Sequence, residues 1–202
     1  ANEPSFSVNN LKTFISNIFL FHGIVDKELS YNEVSWSISF EFYTYLIFGL
    51  IAILFRNKYT FNFFVVLIFL ISMILVLEFK LMDKVNNLGF FRCVYSFFFG
   101  IIIYLLDKKI KNIKFDKIQL IYFIILIYLF CYMENTALMP IFFGLFILIL
   151  NNSDGGILKK ILLNKNLIYL GKISYSIYMI HYLIIWIHIQ VLRFIFNLKT
   201  EA

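Results

Sequence analysis

The chain of 202 residues is 61% hydrophobic and 15% charged, with a mean hydropathy of +0.85, which excludes an ordinary soluble domain and reads as a membrane protein. Its net charge of +6 comes with no nucleic-acid-binding motif, and the basic residues lie between apolar runs, so orientation in a bilayer accounts for it and no nucleic acid is implied. The 26 Phe and 13 Tyr accompany abundant Ile, Leu, Lys and Asn, a compositional bias from which no site is read.

Residues 1–35 form a polar approach. The opening Ala-Asn-Glu-Pro-Ser-Phe-Ser lacks the charged region, apolar core and cleavage site of a signal peptide, so an internal start within a longer polypeptide is expected. Phe14 to Ile24 is too short to span and is interrupted by Ser16, Asn17 and His22, which suits an interfacial segment. Ser30 and Glu33 have capping-box spacing, and Ser35 is placed to cap a helix that begins at Trp36.

The first span is expected over residues 36–55, ended by Arg56-Asn57-Lys58, and the second from Tyr59 to Leu77. A mixed-charge loop with Glu78, Lys80, Asp83 and Lys84 leads to a third span, Gly89 to Leu106. Two shorter apolar runs follow, Ile118 to Met133 and Ala137 to Leu150, each either a short crossing or half of a re-entrant hairpin. Pro140 and Gly144 in the second allow a kink or a close helix approach. A loop beginning Asn-Asn-Ser-Asp-Gly-Gly, with a short interfacial helix, occupies residues 151–172, and the last span runs from Ile173 to Phe196. The pattern predicts one all-α, polytopic transmembrane helix bundle of five or six spans over residues 36–196, followed by a tail, 197–202.

Segments 56–58, 107–117 and 151–172 hold 11 of the 18 Lys and Arg residues and alternate with loops as acidic as they are basic, so they are assigned to the cytoplasmic side. Trp36 then starts the first span from the outer side. Strict alternation puts the C-terminus outside, and a re-entrant hairpin at 118–150 would reverse it. Cys93 and Cys131 are isolated in apolar runs without metal-ligand spacing, so they read as packing residues and no metal site is expected.

The anomaly of the chain is Glu41, an ionisable residue inside an apolar run, where its cost implies a partner or a function. On a helix Ser37, Glu41 and Tyr45 fall at i, i+4 and i+8, which puts hydroxyl, carboxyl and phenol on one face. Trp36 marks the entry of that helix into the apolar layer. A carboxylate that bonds a neighbouring helix is the other reading of Glu41. Arg92, Ser96 and Gly100 repeat the same spacing, and Arg92 is expected either to pair with Glu41, directly or through a substrate, or to snorkel from its helix end. Ser174, Tyr178, His181 and His188 draw a polar stripe down the last span. Its histidines can relay protons, bond a substrate hydroxyl or fix helix packing.

Two of these stretches carry a resemblance. Trp36-Ser37-Ile38-Ser39-Phe40-Glu41, with Tyr45 following, resembles the Trp-Ser-Leu-Ser-x-Glu segment of acyltransferase family 3, although Thr44 and Gly49 stand where that family usually has an aromatic residue and a proline. Leu170-Gly171-Lys172-Ile173-Ser174-Tyr175-Ser176-Ile177-Tyr178-Met179-Ile180-His181 is similar to the family's Leu-Gly-x-x-Ser-Tyr-x-x-Tyr-Leu-x-His segment, departing only at Met179. Arg92 and the residues after it resemble the family's arginine helix. The resemblance implies a multi-pass enzyme of a bacterial cell membrane that moves an acyl group, acetyl above all, from acetyl-CoA or another acyl-CoA to a hydroxyl of a cell-envelope polysaccharide or glycolipid, with no bound cofactor. It implies Glu41 and His181 as catalytic candidates and Trp36, Ser37, Tyr45, Arg92, Ser174, Tyr175 and Tyr178 as substrate-binding ones. The family's N-terminal helix, with an arginine and a catalytic histidine, has no counterpart here, so the chain is expected to be the C-terminal portion of such an enzyme. The competing expectation is a transporter or flippase-like bundle without covalent chemistry, in which the same buried polar groups form a pathway.

Overall fold

The computed structural model describes residues 9–25, 31, 33–79, 89–110, 115–133 and 136–196, and among them every regular element is helical. In chain order these are α1 (Leu11–Ile18), α2 (His22–Val25), a 3₁₀ turn (Glu33–Ser35), α3 (Trp36–Leu54), α4 (Lys58–Glu78) and α5 (Gly89–Ile110). Then come α6 (Ile118–Tyr132), a second 3₁₀ turn (Thr136–Leu138), α7 (Met139–Asn151), α8 (Ile157–Leu162) and α9 (Lys165–Phe196). Four of them, α3, α4, α5 and α9, are long and apolar enough to cross a bilayer, while α6 and α7 are shorter apolar helices. This is the expected all-α polytopic architecture. Large apolar side chains crowd the exposed surface, as a lipid-facing surface requires.

The chain forms two compact units, residues 1–39 with 165–202 and residues 40–164, whose boundary falls inside α3. In the second unit α4 packs along α5, α5 against α7 and α6 against α7. Ile51 of α3, Val65 of α4, and Val94 and Phe98 of α5 form its main core. Aromatic rings fill the seams: Phe55 stacks on Phe64 at 3.8 Å between centroids, and Phe69 stacks on Tyr95. Gly144 is a requirement of packing, because a Cβ there would lie 2.5 Å from the ring of Phe99. Pro140 sits in the first turn of α7, where its missing N–H breaks no helical bond. Of the two roles open to these residues, close approach is the one Gly144 fills.

Several hydroxyls inside the second unit bond to the backbone, whereas the buried Asn62 Oδ1 has no hydrogen-bond partner among the described residues. The Thr44 hydroxyl donates to the Phe40 carbonyl at 2.7 Å, Ser72 to Ile68 at 2.7 Å, and the buried Tyr95 phenol to Ala137 at 3.0 Å. One loop is built by side chains. Gln119, 1% exposed, donates to the carbonyls of Asp116 and Gly155 and accepts from the Lys159 N–H. The Asp116 carboxylate takes the Gly155 N–H at 2.9 Å, and Asp107 takes the amides of Asn151 and Asn152. Gly156 has φ +98°, and a Cβ on it would lie 1.6 Å from the Gln119 amide nitrogen.

Boundaries shift at the ends of elements. The third span continues to Ile110, with Lys108 and Lys109 in its last turn, where cations favour the helix dipole. Residues 165–172, expected in an interfacial segment, are instead the first turns of α9, so that helix starts at Lys165 rather than Ile173. The short helix expected in this stretch is α8. In the polar approach, Asn10 caps α1 reciprocally with Thr13. The expected Ser30–Glu33 capping box lies outside the residues whose side chains are described, as does the tail.

The Gln119 clamp gives a direct expectation. Gln119→Ala strands the carbonyl and N–H groups it now satisfies and lowers stability by about 1–3 kcal/mol, read as a lower melting temperature of the detergent-solubilised protein. An unchanged melting temperature would show that the loop is not held by this side chain.

Candidate functional site

In the first unit, the sequence before and within the opening of α3 supplies Val34, Ser35, Trp36, Ser37 and Ser39, so the chain enters its apolar helix carrying three hydroxyls. Each has a partner. The Ser37 hydroxyl lies 2.9 Å from the phenol of Tyr178 on α9, and that phenol donates to the Val34 carbonyl at 2.8 Å. A phenol has one proton to give, so with Val34 as acceptor, Ser37 donates to the phenol oxygen. The order is therefore Ser37 hydroxyl, Tyr178 phenol, Val34 carbonyl. Two residues from the two motifs, 141 positions apart, meet at this point.

On the other side of the same turn lies a cluster centred on His22. Its ring is 2% exposed, with Nε2 2.9 Å from the Ser35 hydroxyl, while the Ser39 hydroxyl lies against the ring, 3.3 Å from Nδ1 and 3.5 Å from Nε2. The Gly23 N–H donates to Ser39 Oγ at 3.2 Å. Gly23 permits the approach, since a Cβ would lie 2.6 Å from the Trp36 carbonyl oxygen and 2.9 Å from Ser39 Cβ.

Along α9, Ser174 donates to the Gly171 carbonyl at 2.8 Å, within its own helix. His181 Nδ1 bonds the Tyr178 carbonyl, and the two rings stand 5.6 Å apart. A carbonyl only accepts, so Nδ1 is the donor in this bond. Tyr175 and His188 are exposed. The expected stripe thus resolves into one residue that reaches α3, Tyr178, and two whose bonds close on their own helix, Ser174 and His181.

In the second unit, Tyr45 donates to Glu41 Oε2 at 3.5 Å, one helical turn along α3. Tyr45 also packs its ring on Phe97 of α5. Arg92 is half-buried on α5, and its carbonyl receives the Ser96 hydroxyl at 2.9 Å. Thr44 reaches the Cys93 thiol at 3.5 Å. The structure therefore brings Ser37 to Tyr178 and Tyr45 to Glu41, each within one unit.

The sequence reading took His22 only as a polar interruption and Ser35 only as a cap. The available signal was the pair Ser35 and Ser39, at i and i+4 on the face opposite Ser37, together with His22-Gly23 in an otherwise apolar run.

An all-α bundle with several apolar spans and a polar cluster at the mouth of one of them defines an integral membrane protein with a built polar site. The family model described as an acyltransferase domain matches residues 6–199, and the chain belongs to that family, acyltransferase family 3. The match covers both motifs and extends past them at each end. It identifies the protein as a membrane acyltransferase and does not favour the transporter expectation. No curated protein and no solved structure gives a significant match.

If Tyr178 tethers the start of α3, removing its hydroxyl frees that start. Tyr178→Phe is expected to speed amide hydrogen exchange of residues 34–39 about tenfold, the equivalent of one hydrogen bond, with little change along α5. Unchanged exchange at 34–39, measured by mass spectrometry, would remove the tether.

Proposed function

We propose that this acyltransferase moves an acetyl group from acetyl-CoA to a hydroxyl of a cell-envelope polysaccharide or glycolipid, in the inner membrane of a bacterium. What supports the reading is the family membership joined to one observation, the Ser37–Tyr178 hydrogen bond at the head of the helix that carries Glu41. Acyl transfer to an alcohol needs a group to take the hydroxyl proton, donors for the oxyanion of the tetrahedral intermediate, and a site poor in water. The acceptor oxygen attacks the thioester carbon and loses its proton to a base. The oxyanion then collapses, the carbon–sulfur bond breaks, and the coenzyme A thiolate leaves and is protonated.

In this scheme the main base comes from a part of the enzyme outside this chain, His181 Nε2 and the Glu41 carboxylate are the groups of this chain able to relay the acceptor proton, and the Ser37 and Tyr178 hydroxyls orient the acceptor. Trp36, Tyr45, Ser174 and Tyr175 contribute to its binding. Arg92 holds an anionic group of a substrate or balances Glu41, and the lysine-rich inner loops meet the phosphates of coenzyme A. A carboxylate set in an apolar span is costly. That cost is repaid in function if Glu41 handles the proton.

The test is transfer of radiolabelled acetyl from acetyl-CoA to envelope glycan in membranes containing the full-length protein. Glu41→Gln at matched expression is expected to lower transfer about a hundredfold or more, the range of a general acid–base contribution. Equal transfer would make Glu41 a structural carboxylate, and absence of transfer by wild type with acetyl-CoA and other acyl-CoA donors would overturn the proposed reaction.

A further inference from the structure

The first turn of α3 is held from two sides. Ser35 and Ser39 are one helical repeat apart and point the same way, whereas Ser37 lies roughly 200° around the axis from Ser35. The Ser35 hydroxyl closes on Nε2 of His22 and the Ser39 hydroxyl lies against the same ring, 3.3 Å from Nδ1 and 3.5 Å from Nε2, and the Ser37 hydroxyl closes on Tyr178. The Gly23 N–H donates to the same Ser39 hydroxyl at 3.2 Å, so one histidine–glycine pair meets both serines. The cluster is also dry: His22, Ser35 and Ser39 are 2%, 8% and 0% exposed. With Gly23 packed on the Trp36 carbonyl, a change in the axial position or the rotation of this turn breaks these buried contacts.

We propose that His22 is a positioning residue: by bonding Ser35 through Nε2 and seating its ring against Ser39 it sets the rotation of the first turn of α3 and thereby places the Ser37 hydroxyl against Tyr178, the pair that orients the acceptor. This rests on the acyl-transfer reading given above for the role of the pair, and on geometry alone for how the pair is held. His22 acts through the two serines and not on the reacting atoms. A packing histidine would only need to fill its volume. A positioning histidine must keep its nitrogens, and above all Nε2, which lies closest to a serine.

Two measurements on the full-length protein separate these roles. The first needs no substrate. With all native cysteines of the full-length protein, Cys93 and Cys131 among them, replaced by alanine, Ser37→Cys and Tyr178→Cys are joined by a short bis-maleimide in native membranes. Adding His22→Ala is expected to lower the cross-linking yield about tenfold, the scale of a lost buried hydrogen bond, while His22→Gln, which keeps a nitrogen near the place of Nε2, returns it to within about twofold. The second is acetyl transfer from acetyl-CoA to envelope glycan. His22→Ala is expected to lower kcat about tenfold with KM for acetyl-CoA within about twofold of wild type, and His22→Gln to restore kcat. Cross-linking indifferent to His22→Ala overturns the proposal, as does a kcat that falls equally in the Gln and Ala variants. If wild type transfers no acyl group, the reaction reading fails separately, and the cross-linking result still decides whether His22 sets the pair.

Discussion

A helix that passes from water into hydrocarbon must satisfy its first N–H groups and every hydroxyl near them before water is lost, because an unpaired polar group in lipid costs several kcal/mol. The opening of α3 is where this chain meets that constraint most severely. Ser35, Ser37 and Ser39 precede a run that stays apolar, apart from Glu41 and the hydroxyls near it, as far as Phe55. The solution is reciprocal. One histidine and one tyrosine from elsewhere in the first unit supply partners for the three serines, and the same bonds fix where α3 begins and which way it faces. A turn pinned in this manner suits a binding site, since hydroxyls that cannot rotate away cost little entropy to use.

Thr44, Ser72 and Tyr95 of the second unit meet the same constraint by other means. Lipid gives no hydrophobic drive to bring helices together, so contact rests on van der Waals packing and on hydrogen bonds that would otherwise be missing. The rings of Phe55, just past α3, and of Tyr95 on α5 stacked on α4, the close approach at Gly144 and the phenol of Tyr95 on Ala137 supply them. Where the chain returns to polar surroundings, side chains of Gln119, Asp116 and Asp107 take over the task of closing a loop.

The spans were legible because hydropathy alone decides them: a run that water rejects and lipid accepts must be helical. Their ends were less so. Lys165, Asn166 and Lys172 lower the hydropathy of the first turns of α9, yet lysine is a good helix former that can extend its ammonium to water, so the helix starts earlier than its apolar stretch. Ser37 and Tyr178 were each recognisable from their motifs and helical spacing, but their meeting is a tertiary fact that periodicity does not contain. The stripe on α9 shows the converse. Spacing put Ser174 and His181 in line, and the structure turns both to backbone carbonyls of their own helix. His22 escaped notice because a single histidine in an apolar run looks the same whether it meets water or two buried serines.

Whether Ser37 and Tyr178 work as a pair in acyl transfer is measured most directly by a double-mutant cycle. Acetyl transfer from acetyl-CoA to envelope glycan would be compared for wild type, Ser37→Ala, Tyr178→Phe and the double variant in membranes of equal protein content. If the hydroxyls act through each other, each single change lowers kcat/KM substantially and the double variant falls no further than the worse single. Losses that multiply, or single variants as active as wild type, would contradict it.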